Sequence, residues 1–185
     1  TRVGKLETSV ADLKGRVDKL EEMIQSVTIV PAYSDGSVKV EDDTLFIDLS
    51  VTPKEAVATL GKDGVKILLN RVLTKAVDVK TISITEDKWF SKDAKNGTVS
   101  LKVPVKNYIP ESADSSLTVA VNVKVVHSKD LTSDYTTEFV PVSLPVSVSL
   151  DKRSIVVQSP DSDKDITLKA TVKNSTKGVF WTSLN

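Results

Sequence analysis

Few residues in this sequence are equipped for chemistry, and most of those stand alone. His127 is the single histidine, next to Ser128 at the end of a valine-rich run. A hydrolytic triad needs serine, histidine and acid held together, with the serine already positioned. No nucleophile motif accompanies His127, which therefore reads as a strand-end residue. Asp161, Asp163 and Asp165 alternate and could offer oxygen ligands to calcium. A twelve-residue calcium loop also needs glycine at its sixth position and glutamate at its twelfth. Those positions hold Ile166 and Val172, so the three acids read as a solvated turn, and Glu41, Asp42 and Asp43 read as a charged loop. Trp89 and Phe90, in EDKWFSKD (86–93), differ. Aromatics on loops stack on sugars or anchor protein partners, so Trp89 and Phe90 are the candidate ligand-binding residues. The plainer reading is that Trp89 plugs one end of a β domain. No glycine-rich phosphate loop occurs, and the carboxylates form no acid-pair motif beside an aromatic cleft. The expectation is a protein that is not an enzyme, with no catalytic residues, no metal and no cofactor.

Bulk properties narrow the classes further. The chain has 185 residues, enough for one or two domains, and its 25 basic residues balance 25 acidic ones. A neutral balance disfavours general nucleic-acid binding, which draws on basic excess to displace counterions, and equally a polybasic membrane-surface role. The absence of cysteine removes disulfides, thiolate zinc sites and cysteine nucleophiles. No apolar run approaches the length that spans a bilayer. The chain starts without methionine and inside a repeating pattern, and is read as a mature or trimmed fragment.

That pattern is a heptad. Val3, Leu6, Val10, Leu13, Val17, Leu20, Ile24 and Val27 alternate three and four apart, the seam of a coiled coil over residues 1–27. RVGKLE (2–7) returns as RVDKLE (16–21), two heptads later. In a parallel assembly Arg2 faces Glu7 of a neighbouring copy, and Arg16 faces Glu21. An antiparallel arrangement would set like charges together. The hexapeptide is similar to the trimer-favouring signature of short parallel coiled coils, in which a guanidinium lies across a leucine and bonds the neighbour's carboxylate. Val or Ile at the a position with Leu at d pulls toward a dimer instead. The expected partner is the chain itself, as a parallel homotrimer with a dimer as runner-up. A helix lying on its own sheets would carry a wider apolar stripe.

Residues 28–145 read as an Ig-like β-sandwich of about seven strands. Alternation is clear in TLFIDLSVT (44–52) and in SLTVAVNVKVVHS (116–128). VDVKTISIT (77–85) and SDYTTEFVPV (133–142) are further strands, and PKEAVATLG (53–61) is a helical turn or two. Asp35-Gly36, Asp63-Gly64 and Asn96-Gly97 supply residues suited to tight hairpins. From 146 a second, incomplete Ig-like domain is expected, with strands at 154–158, 165–172 and 179–182. The fold class is thus mainly β: a parallel coiled-coil helix, an Ig-like β-sandwich and part of a second one.

Two resemblances bear on function. LDK (150–152), LKATV (168–172) and WTSLN (181–185) resemble the opening of bacterial Ig-like domains of the group-2 type, found in surface adhesins, although SPDSDKD (159–165) replaces their Gly-Glu turn. VPAYSDGSVKV (30–40), LSVTPKEAV (49–57), NGTVSLKV (96–103) and LTSDYTTEFVPV (131–142), behind a coil, resemble the N-terminal region of large exported lipoproteins of Bacteroidetes. That resemblance implies a cell-surface or secreted protein, held to a membrane only through a lipid anchor upstream. It implies a structural or adhesive role, a trimeric stalk presenting Ig-like modules. Two alternatives are an accessory glycan-binding region of a larger polysaccharide-degrading protein and a bacteriophage fibre.

Overall fold

The computed structural model describes residues 2–73, 76–110, 116–152, 167–174 and 178–182. Helix α1 (Arg2–Glu21) precedes strands β1 (Ser26–Val30), β2 (Val38–Glu41) and β3 (Thr44–Thr52). A short turn, α2 (Ala56–Thr59), leads to the hairpin of β4 (Val65–Leu73) and β5 (Ala76–Ser83). A second hairpin joins β6 (Phe90–Asp93) to β7 (Thr98–Pro104). A third joins the long β8 (Ser116–Ser128) to β9 (Leu131–Thr136), and β10 (Val140–Ser143) follows. Strands β11 (Ser147–Leu150) and β12 (Ala170–Lys173) form a separate antiparallel pair.

Strands β1 to β10 belong to one curled sheet. In one half β3 pairs with β7 along one edge and with β1 and β2, end to end, along the other. In the other half β8 pairs with β4 along one edge and with β9 and β10, again end to end, along the other. The halves meet at β10, which runs antiparallel to β8 and parallel to β2. Alternation decides what faces inward. Leu45, Ile47, Leu49 and Val51 of β3 are buried, as are Leu117, Val119, Val121, Val123 and Val125 of β8. They join β1, β4 and β7 residues in a single core. The β-rich arrangement is compatible with an Ig-like sandwich.

The run 133–142, expected as one strand, is broken at Thr137. Between the pairs Asn122↔Thr136 and Val119↔Val140 the chain advances four residues against three on β8, so one extra residue is inserted, as in a β-bulge. Buried Thr137 keeps the ladder closed across the break. Its N–H donates to the Val121 carbonyl at 2.9 Å and its Oγ1 accepts the Val121 N–H at 3.0 Å. The same hydroxyl donates to the Glu138 carbonyl at 3.0 Å. The bulge turns the chain so that β10 can reach β2.

The N-terminal expectation is corrected. The fold is mainly β, but among the described residues there is no long coiled-coil helix. Among the described residues the one helix longer than two turns is α1, which stops at Glu21, so the expected 27-residue coil is cut to 20 residues. The last two seam residues serve the sheet instead. Ile24 packs against the core and Val27, in β1, is 2% exposed. The Ile24 N–H donates to Ser133 Oγ at 3.2 Å and the Gln25 N–H to the Thr52 carbonyl at 2.7 Å. Burying Val27 and Ile29 in a shared core outweighs extending a helix whose next turn would stay in water. Of the strands expected past 146, the run 165–172 is met only in part by β12, and 179–182 is not a strand. The strand expected at 154–158 lies outside the described residues, as do Asp161, Asp163 and Asp165.

Turn chemistry holds in part. Asn96-Gly97 closes the β6–β7 hairpin, with Gly97 at φ +70°, and a Cβ there would lie 2.7 Å from Lys54 Cβ. Asp35-Gly36 makes a turn but no hairpin, because β1 and β2 lie end to end beside β3. Asp35 instead accepts the Ser37 hydroxyl and N–H, and these hydrogen bonds hold its carboxyl below the usual carboxylate range. Gly64 serves a close approach to the Lys124 carbonyl. The tight turn the sequence hides is Asp42-Asp43, both at positive φ, between the paired Glu41 and Thr44.

Replacing Thr137 by valine keeps the shape but leaves the buried Val121 N–H without its acceptor. Chemical denaturation should show a loss of about 1–3 kcal/mol, whereas Thr137→Ser should stay close to the parent. Equal stability of the valine variant would mean that the bulge is held by something else.

Candidate functional site

Two surfaces carry the residues singled out in the sequence. The first is α1. None of its residues is buried. Val3, Leu6, Val10, Leu13, Val17 and Leu20 are each 49–69% exposed on one face of a helix about 30 Å long. Arg2, Glu7, Arg16 and Glu21 are exposed beside that face and make no ion pair within the chain among the described residues. Thr8 and Ser9 turn their hydroxyls onto the Gly4 and Lys5 carbonyls, 2.9 Å away in each case. Near its C-terminal end, Arg16, Lys19 and Leu20 face Ser128, Asp130 and Leu131 of the β8–β9 turn across a groove of about 500 Å³.

His127 sits at the exit of this helix. Its Nε2 lies 2.8 Å from Ser133 Oγ, and Ser133 is 3% exposed. The same oxygen accepts the Ile24 N–H. Ser133 is therefore a tie between the helix exit and the β8–β9 hairpin, its hydroxyl already engaged on both sides. Ser128, the sequence neighbour of His127, is not the partner.

The second surface is the outer face of β2, β3, β7 and the turn before β6. Trp89 and Phe90 both pack partly against the core. Phe90 opens β6 opposite Leu101, an inward residue of β7. Trp89 also lines a groove of about 350 Å³ with Thr44, Glu86, Lys88, Lys102 and Pro104. Thr44, Lys102 and Pro104 belong to the outward set of their strands, because Leu45, Leu101 and Val103 point in. On the same face Phe46 pairs across with both Lys39 and Lys102. The two ammonium groups stand 5.6 and 6.0 Å from its ring centroid, within cation–π range. Lys39 also meets Glu41 at 2.6 Å, a hydrogen bond that raises its pKa above the usual lysine value. Lys88 pairs with Glu86 at 2.7 Å. Lys102 has no carboxylate partner among the described residues.

Lys39, Phe46 and Lys102 escaped the sequence reading. Phe46 carried a usable signal, since it falls on the solvated side of the alternating run 44–52. The lysines carried none, because strand register alone brings them to that ring. Among the described residues no group of three or more acidic or histidine side chains could hold a metal, and no helix is long and apolar enough to cross a membrane.

The chain matches no protein-family model and no curated protein. The resemblances above are carried by their quoted residues alone.

Replacing Ser133 by alanine removes the acceptor of the Ile24 N–H. The expected cost is about 1–2 kcal/mol of stability, with faster hydrogen exchange at the Ile24 amide than at the Val119 amide in β8. Unchanged exchange at Ile24 would show that Ser133 does not hold the helix exit.

Proposed function

We propose that this chain is a non-enzymatic structural and adhesive module of a cell-surface protein, which associates with parallel copies of itself through the apolar face of α1. One observation carries the reading: a 20-residue helix with none of its residues buried presents six large apolar side chains on one side. A helix draws most of its stability from packing its apolar face, and Gly4 and Gly15 each weaken this one by about 1 kcal/mol relative to alanine. Covering those six side chains would contribute on the order of 5–10 kcal/mol, given their partial exposure already. Another copy offers the same stripe. Its flanking charges also fit, Arg2 against Glu7 and Arg16 against Glu21, and they support three parallel copies. The surface location rests on the resemblance to exported lipoproteins.

A second reading is favoured by the Trp89 groove: a glycan-binding module. An indole face beside hydroxyl, carboxylate and ammonium groups suits a sugar ring, which presents C–H bonds on one face and hydroxyls at its edge.

Light scattering on the full chain should report three copies. Leu6→Lys with Leu13→Lys should give a monomer and reduce the helical circular dichroism, because lysines on the apolar face would be forced together. A monomeric parent, or a double variant with unchanged stoichiometry, would end the self-association proposal.

A further inference from the structure

We infer that Asn96 is a site of spontaneous modification, deamidation to aspartate and isoaspartate, which the Asp93 carboxylate holds back while the β6–β7 hairpin is folded. Asn96-Gly97 is the one Asn-Gly pair in the sequence. Deamidation begins when the backbone nitrogen of the next residue attacks the asparagine side-chain carbonyl carbon, and glycine has no side chain to obstruct that approach. The fold does not tolerate another residue in place of this glycine. Gly97 sits at φ +70°, a Cβ there would lie 2.7 Å from Lys54 Cβ, and its carbonyl accepts the Val51 N–H at 2.9 Å. The hazard is therefore built into the hairpin, at an exposed turn.

The turn also carries a clasp. Asp93 Oδ1 accepts the Lys95 N–H at 3.0 Å and the Asn96 N–H at 3.2 Å, and Asp93 Oδ2 accepts an Asn96 Nδ2–H at 2.6 Å. The nitrogen that would leave as ammonia is thus pinned to Asp93. That hydrogen bond must break before the carboxamide can turn toward Gly97. Attack also places negative charge on Asn96 Oδ1, beside a carboxylate that opposes it. The reaction needs no reagent besides water. The Gly97 nitrogen loses its proton and bonds to Asn96 Cγ. The Cγ–Nδ2 bond breaks, and the nitrogen takes up a proton and departs as ammonia. Water then opens the resulting ring, at Cγ to give aspartate or at the main-chain carbonyl carbon to give isoaspartate.

The product would not fit the clasp. A donor becomes a second carboxylate facing Asp93, and like charges at that distance repel. Isoaspartate also lengthens the main chain within the turn that seats Gly97 on Lys54. β6 is a four-residue strand paired, among the described residues, with β7 alone. It carries Lys92, whose Nζ donates to the Ala58 and Leu60 carbonyls at 2.7 and 2.9 Å. Modification of Asn96 would loosen this edge of the sheet, next to Trp89.

The test is peptide mapping by mass spectrometry of the full chain held at mildly alkaline pH, folded and in denaturant. Asn96 should convert several times more slowly in the folded chain. Asp93→Asn keeps the shape and removes the charge, and Asp93→Ser keeps an acceptor for the turn amides. Both should convert faster at Asn96 than the folded parent, with the Val51 amide exchanging as slowly as in the parent. Asn96→Asp should melt below the parent, and adding Asp93→Asn should recover part of that loss. A folded parent that converts as fast as the denatured chain would overturn the proposal, as would an unaltered rate in both Asp93 variants. Faster conversion accompanied by lost protection at Val51 would mean that Asp93 acts only by holding the hairpin, and would overturn its direct role. An Asn96 that stays unconverted in the denatured chain would overturn the site itself.

Discussion

The curl of the sheet depends on one strand having two different neighbours. β10 bonds to β8 on one side and to β2 on the other, and it can do so because the chain carries an extra residue at the Thr137 break. Without the extra residue the alternation of β9 would turn Phe139 and Pro141 inward in place of Val140 and Val142. Neither half could bury its face alone. Joined, they enclose one core in which Leu45, Ile47, Leu49, Ile67, Leu69 and Leu101 are almost wholly removed from water. The Thr137 hydroxyl matters out of proportion to its size. A bulge exposes backbone groups that the ladder would have satisfied, and in a buried place they need another partner.

The same economy explains the division of the N-terminal heptads. Ile24 and Val27 continue the spacing of the helix, yet the sheet claims them, because a core closed on all sides removes more apolar surface than one face of a solvated helix. Upstream of Glu21 only the last turns near the sheet, where Arg16, Lys19 and Leu20 face Ser128, Asp130 and Leu131, and the helix keeps its apolar side in water. The molecule thus shows two contrasting surfaces. α1 carries an apolar stripe with charges at its margins. The outer face of β2, β3 and β7 carries rings and ammonium groups with carboxylates between them. Apolar side chains exposed in a row suit a partner that supplies the same apolar row. Rings set beside charges suit a ligand that is apolar on one side and polar at its edge. The edge strand β5 is managed differently. Asp78 and Lys80 fall on its inward-facing side, and Asp78 bonds Arg71 at 2.8 Å. Burial alone would push the Asp78 carboxyl up, but hydrogen bonds and charge from Arg71 and Lys80 hold it below the usual carboxylate range. Charges turned inward discourage another strand from adding to that edge.

Much of this was legible in the chain itself. Period-two alternation marked β3 and β8 residue by residue, and its inward members are buried, with Ala120 of β8 buried as well on the other face. The Asn96-Gly97 hairpin, the short turn after Pro53 and the apolar side of α1 were equally readable, because each rests on local geometry or on spacing within one element. What stayed hidden required knowledge of neighbours. Asp42 and Asp43 read as a charged loop because aspartate is only an occasional occupant of left-handed backbone. The run 133–142 alternates well enough to pass for one strand. Phe46 lay visibly on the solvated side, but its two lysines are 7 and 56 residues away.

The sequence by itself determined which residues turn inward along each strand and which side of the helix is apolar. Both follow from the fixed periodicities of backbone geometry. Tertiary structure alone decided where the helix stops, which strand joins the two halves, and which rings and charges share a face. Those outcomes depend on competition for burial and for hydrogen-bond partners among segments far apart in the chain, and no local pattern records which segment wins.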